Sequence, residues 1–184
     1  MKFRLDVNVT DADYYDFNKF YMFHSKTAAK SRTLTRITAI LMYVVFGWLF
    51  VKAEGFSFKT GVFIGFLVIV MVIMQIFLNK FFWLLTKRRI DASKKKGNLK
   101  YSKAVVYEFY DDIFHDITET EKSEVKYCVI ECVRVIEGRM ILLQRAEHSS
   151  YILPASCFTS KEEFDAFLSF IKTKCPKIDF YDKI

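Results

Sequence analysis

The apolar residues of this chain keep three rhythms, and each predicts a different kind of element. In KFRLDVNVT, Phe3, Leu5, Val7 and Val9 alternate with polar neighbours, the period of a half-buried strand. A lone strand is not stable, so this one needs a sheet elsewhere in the chain. TDADYYDFNKFYMFH then reads as a helix: Thr10 caps it, Asp11 and Asp13 favour the positive end of its dipole, and Tyr14, Phe17 and Tyr21 share a face.

The second rhythm is no alternation at all. ITAILMYVVFGWLFV, Ile37 to Val51, and GVFIGFLVIVMVIMQIFL, Gly61 to Leu78, carry no charge. A helix that crosses a bilayer needs about 20 apolar residues, within a range of about 17 to 25. The longer run meets this alone. The shorter one meets it when Lys52 snorkels and Ala53 is counted, and by itself it could equally be a soluble core helix. The longer run decides the matter, since its side chains sum to roughly −4 to −7 kcal/mol of insertion free energy with no charge to offset them. Spans are therefore expected at about residues 37–53 and 61–80.

One unbroken helix from Ile37 to Leu85 would run on the order of 70 Å, more than twice the hydrocarbon core. The chain must turn back, and VKAEGFSFKTG has the Gly, Ser and Glu of an exposed turn. An antiparallel hairpin follows, with both chain ends on one side. The opening MKFRLDVNVTDADYYDF does not read as a cleavable export signal.

The third rhythm is short strands. KAVVYEFYDD, IFHDITETEK, SEVKYCVIECVRVIEG and RMILLQRAEHSSYILP alternate, with turn signals at Asp111, Asp112 and Gly138 and near Ser149 and Ser150. SKEEFDAFLSFIK then opens with a capping box, Ser160 with Glu163, and aligns Phe164, Phe167, Leu168 and Ile171 on one face, with Pro176 beyond its end. A curved antiparallel sheet closed by one C-terminal amphipathic helix is a PH-like arrangement. Lys2 to Val9 is expected to join the edge of that sheet, which makes the membrane hairpin an excursion from one cytoplasmic domain. The expected fold class is thus α+β, a two-helix transmembrane hairpin plus a small antiparallel PH-like domain. Its segments are a strand and helix at 1–36, the hairpin at 37–85, a basic linker at 86–103 and the PH-like domain at 104–184.

Charge fixes the expected orientation. Lys26, Lys30, Arg32 and Arg36 precede the first span, and Lys87, Arg88, Arg89, Lys94, Lys95, Lys96, Lys100 and Lys103 follow the second, against Lys52 and Lys59 in the turn. The positive-inside rule puts both termini in the cytoplasm, and Trp48, Phe81, Phe82 and Trp83 read as interface anchors. The formal net charge of +7 could point to nucleic acid, yet residues 104–184 hold ten basic and fifteen acidic side chains. No aromatic residues interleave the basic stretch as a stacking platform would require, so nucleic acid is not an expected partner. Anionic lipid headgroups are the expected contact of Lys87, Arg88, Arg89, Lys94, Lys95 and Lys96.

No residue pattern calls for catalysis or a cofactor. Cys128, Cys132, Cys157 and Cys175, with His115 and His148, could suggest a metal, but CVIEC lacks zinc-knuckle spacing, and two cysteines four apart on a strand share a face as core residues do. Asp111, Asp112, His115 and Asp116 could suggest acid/base chemistry, and read better as solvated turn formers. Gly61 and Gly65 form GxxxG, while Gln75 and Asn79 place two amides on one helical face. Helix packing within the hairpin or homo-oligomerisation would use them. A small oligomeric channel or transporter subunit is the alternative function.

The N-terminal strand and helix, the two spans and the tail motif YxLPxxxF, present as YILPASCF ahead of SKEEFDAFLSFI, together resemble YcxB-like bacterial membrane proteins. The resemblance implies a membrane protein with a PH-like cytoplasmic tail and carries over no catalytic residue. The resulting expectation is a non-enzymatic, multi-pass protein of the bacterial inner membrane. Membrane lipids and a protein partner are its expected contacts.

Overall fold

The computed structural model describes residues 1–97, 104–146, 149–175 and 177–182, and the chain is an α+β protein of two units. Lys100, Lys103, His148 and Pro176 lie outside the described residues. The first unit is drawn from Met1–Tyr21 and Lys94–Ile184, and the second from Met22–Ser93.

In the first unit, β1 (Phe3–Asn8) lies antiparallel to β2 (Ala104–Phe109), in register from Phe3 opposite Phe109 to Asn8 opposite Ala104. The N-terminal strand does join a sheet edge, because only there can Leu5 and Val7 bury one face while Arg4 and Asp6 stay in water. β3 (Ile113–Ile117) and β4 (Lys122–Lys126) complete a four-stranded sheet in the order β1-β2-β3-β4.

The remaining strands form a second sheet, where one curved sheet was expected. SEVKYCVIECVRVIEG breaks after β4 in a 3₁₀ turn at Tyr127–Val129, and β5 (Cys132–Ile136) starts in the other sheet. The cause lies in the phase of the apolar residues. Tyr127 and Ile130 are both buried three positions apart, and the Ile130 N–H bonds back to the Tyr127 carbonyl at 2.9 Å. Cys128 and Cys132 therefore do not share a strand face: the first is exposed and the second buried. β6 (Met140–Ala146) and β7 (Ser149–Pro154) follow as antiparallel neighbours. An unforeseen four-residue β8 (Ile178–Tyr181) runs parallel to β5, giving the order β7-β6-β5-β8.

β6 does not alternate, because this sheet is covered on both faces. Tyr151 meets Tyr107 and Phe114 of the first sheet, with ring centroids 5.8 and 5.1 Å apart. On the other face lies α1 (Asp11–His24): the Tyr21 hydroxyl bonds Ser150 Oγ at 2.6 Å, Phe20 meets Tyr181 at 4.8 Å, and Asp16 pairs with Arg139. Met140 through Leu143 are consequently all buried. α4 (Lys161–Lys174) sets Phe167 against Phe3 and Phe109 at 5.4 and 4.8 Å, an aromatic cluster within a mostly aliphatic core.

The second unit holds α2 (Lys26–Glu54) and most of α3 (Phe58–Lys95), two helices long and apolar enough to cross a membrane. They run antiparallel: Phe50 meets Phe63 at 4.1 Å near the turn, and Arg36 donates to Asn79 Oδ1 at 3.2 Å near the other end. Gly55, at φ +74°, ends α2, and Ser57 Oγ accepts from Thr60 N–H at 3.2 Å to start α3. The apolar side chains of both helices are mostly exposed, Phe46, Phe66 and Ile76 among them. The stretch expected as a linker from residue 86 is helical through Lys95, since Lys, Arg and Ala are good helix formers and the first breaker is Gly97 at φ +70°.

Leu5 is 1% exposed although more than a hundred residues separate it from its strand partner Tyr107. Leu5→Ala is expected to lower the stability of the solubilised full-length protein by about 2–5 kcal/mol in urea unfolding, whereas exposed Arg4→Ala stays within about 0.5 kcal/mol.

Candidate functional site

The basic residues expected to meet lipid headgroups fall on the last turns of α3, with Lys96 just past its end. Arg88 and Arg89 are exposed, and so are Lys87, Lys95 and Lys96. Lys94 instead pairs with Asp11 of α1. Lysines and arginines in a helical last turn also complement the negative end of the helix dipole, so the helix gains from its own basic terminus.

The helix-packing residues divide between two faces of α3. Asn79 faces α2 and accepts from Arg36, and Gln75, one turn earlier, lies on the same face. Gln75 Nε2 is buried with no hydrogen-bond partner among the described residues. Gly61 and Gly65 point elsewhere. A Cβ placed on either would meet nothing within 4 Å, so neither supplies close approach within the hairpin.

On the first sheet, cross-strand register builds a charge cluster around Glu108. Arg4 lies 3.6 Å from its carboxylate, His115 Nδ1 3.6 Å, Lys122 3.9 Å, and the Tyr110 hydroxyl donates at 3.3 Å. Desolvation pushes the Glu108 carboxyl up, but His115, Tyr110, Lys122 and Arg4 together outweigh it and hold it below its ordinary value. Asp116 sits on the opposite face of β3, where burial raises its carboxyl and Oδ1 has no hydrogen-bond partner among the described residues. His115 and Asp116 thus do not form an acid/base pair, and Asp111 and Asp112 stay exposed in the β2–β3 turn.

The cysteines are likewise dispersed, and no three potential metal ligands converge among the described residues. Burial pushes the Cys157 thiol up to about 12 and the Cys175 thiol up to about 11. Cys132 is raised too, by burial and by Asp179, whose Oδ2 accepts its thiol hydrogen at 3.3 Å.

The feature the sequence reading missed is a groove of about 800 Å³ between α4 and the strands β5 and β8. Val135, Phe158, Phe164, Leu168 and Phe180 give it an apolar lining. Its polar lining includes Glu137, Asp165, Asp182 and Lys161. α4 is held in place by its N-terminal cap: Ser160 Oγ accepts from Glu163 N–H at 3.2 Å, and the Glu163 carboxylate accepts from Thr159 N–H and Oγ at 2.7 and 2.6 Å. The capping box thus closes one residue further back than Ser160. β8 could not be foreseen because IDFY follows a helix end and is only four residues long. The exposure of Phe180, 58%, depends on that strand.

No family model, curated protein or solved structure matches the chain.

Thiolate is the reactive form of cysteine, so exposed Cys128 should be the first thiol modified by an aromatic disulfide reagent at pH 8, with Cys157 and Cys175 reacting only on unfolding. Mass spectrometry of the early product checks the order. Asp116 gives a second expectation. A folded-state value raised above the ordinary 3.8 adds stability at low pH that is lost as pH rises through the raised value. The advantage of Asp116→Asn over wild type in urea unfolding should therefore grow from acid toward neutral pH and vanish below about 3.8.

Proposed function

We propose that the chain is a non-enzymatic, multi-pass protein of the bacterial inner membrane. In this reading the α2–α3 hairpin anchors a PH-like cytoplasmic module that binds a protein partner or lipid headgroups, and both termini are cytoplasmic. The observation that carries it is the place of the hairpin in the chain. Two long apolar helices leave and return between β1 and β2, which are adjacent strands of one sheet. An insertion at that point gives an anchor without interrupting the domain it holds.

Other features support the same reading. Two four-stranded sheets and a helix after β7 are compatible with a PH-like fold, and the layout resembles YcxB-like proteins. Lysines and arginines gather where α2 begins and α3 ends, the pattern of a cytoplasmic flank. A homo-oligomer would find Gly61 and Gly65 on an open helix face. The alternative of a channel or transporter subunit draws less support, because Asn79 and Gln75 face α2 and neither apolar run carries Asp, Glu, Lys, Arg or His.

Thiol labelling tests the topology. Phe56, 93% exposed, lies in the α2–α3 turn, and Cys128 is exposed on the first unit. In cells with a permeabilised outer membrane, a membrane-impermeant maleimide is expected to label Phe56→Cys at once and Cys128 only after lysis. The opposite order, or equal labelling of both, would sink the proposed anchoring.

A further inference from the structure

The groove between α4 and β8 combines three properties that a surface needs to hold a peptide. It has aromatic side chains in reach of solvent, and Phe180, on a four-residue edge strand, is 58% exposed. It adjoins an open sheet edge, since β8 pairs with β5 on one side and no described strand covers the other. Its charge is also mostly negative. Among the described lining residues Glu137, Asp165 and Asp182 outnumber the one cation, Lys161, and Lys172 stands at the Phe180 ring.

The charge selects the occupant. An anionic headgroup or phosphopeptide would meet three carboxylates, whereas a lysine or arginine would be attracted to them. The Phe180 ring already takes a cation: Lys172 Nζ lies 5.5 Å from its centroid. An acyl chain alone would fill the apolar lining and leave the carboxylates idle.

We infer that this groove docks a basic, extended segment of a protein partner, placing one apolar side chain among Phe158, Phe164 and Phe180 and its flanking lysines or arginines against Glu137, Asp165 and Asp182. The outer side of β8, where no described strand lies, would make main-chain hydrogen bonds of the strand-addition kind through Phe180. This rests on the reading of the first unit as an interaction module and is independent of whether the hairpin crosses a membrane.

The test uses the full-length protein in a neutral maltoside detergent and fluorescence anisotropy. The probe is a short fluorescein-labelled peptide with a Leu-Phe-Leu centre flanked by lysines and arginines, and its counterpart has glutamates at the flanks. The basic peptide is expected to bind at least about tenfold more tightly than the acidic one. Glu137→Lys with Asp165→Lys, and separately Phe180→Ala, should each weaken it by about tenfold. All three positions are exposed, so the variants should keep the wild-type melting temperature. Glu119→Lys with Glu121→Lys, outside the groove, should leave binding unchanged. No binding, equal binding of both peptides, or equal loss in the Glu119/Glu121 variant would overturn the inference. Peptide failure alongside the expected maleimide pattern removes the groove and leaves the anchor, while peptide binding alongside a reversed pattern removes the anchor and leaves the groove.

Discussion

Everything in this protein depends on the pairing of β1 with β2. Six residues at the start of the chain complete a sheet whose other strands begin at Ala104, and without them Tyr107 and Phe109 would lose the neighbours that keep water from the aromatic cluster. The cost of such a distant closure grows only slowly with loop length, roughly 0.6 kcal/mol per doubling. An antiparallel helical hairpin reduces it further, because a folded excursion that returns on itself is a much shorter loop than its residue count implies. The Gly55–Ser57 turn is thereby a condition for the sheet, even though it contributes no contact to it.

The second dependency is the helix that follows β1. α1 covers the face of the second sheet that carries Arg134, Leu142 and Ser150, and Phe20 and Tyr21 place their rings 5.6 and 5.7 Å from the Arg134 guanidinium. A cation held between aromatic faces tolerates burial better than one left among aliphatic groups. The N-terminal segment therefore supplies one strand to the first sheet and a cover to the second. That explains how a unit with so few residues in its continuous C-terminal part can bury MILL of β6 on both sides.

Elements whose periodicity lies within one segment were legible in the sequence. β1, α1, α4 and the two apolar helices all declare themselves by alternation, capping residues or an uncharged run; the bounds of β1, α1 and α4 fall close to the expected ones, whereas α2 begins at Lys26, well before the expected span, and α3 runs on to Lys95, well past it. What was not legible depends on partners distant in sequence. The division into two sheets turns on the half-turn at Tyr127–Val129, where an alternating pattern continues through a change of sheet. β8 exists because β5 offers an edge, and the groove exists because of β8, so a site made of Glu137, Asp165 and Phe180 has no signature in any one stretch. GxxxG is the opposite case: Gly61 and Gly65 have a recognised spacing within one stretch, yet a Cβ on either would meet nothing of α2 within 4 Å.

The order of the chain also sets an order in time. β1 and α1 leave the ribosome ahead of the sheets they serve, and about eighty further residues must follow before Ala104 emerges. At about 5–20 residues per second this is a delay on the order of 10 s, spent while the two apolar helices are being synthesised. Throughout it Phe17, Phe20 and Tyr21 have no sheet to cover, and Leu5 and Val7 have no strand to join. The protein thus begins life with its earliest aromatic surface waiting for its latest one, and whatever receives the nascent hairpin must also tolerate that uncovered surface until the last strands arrive.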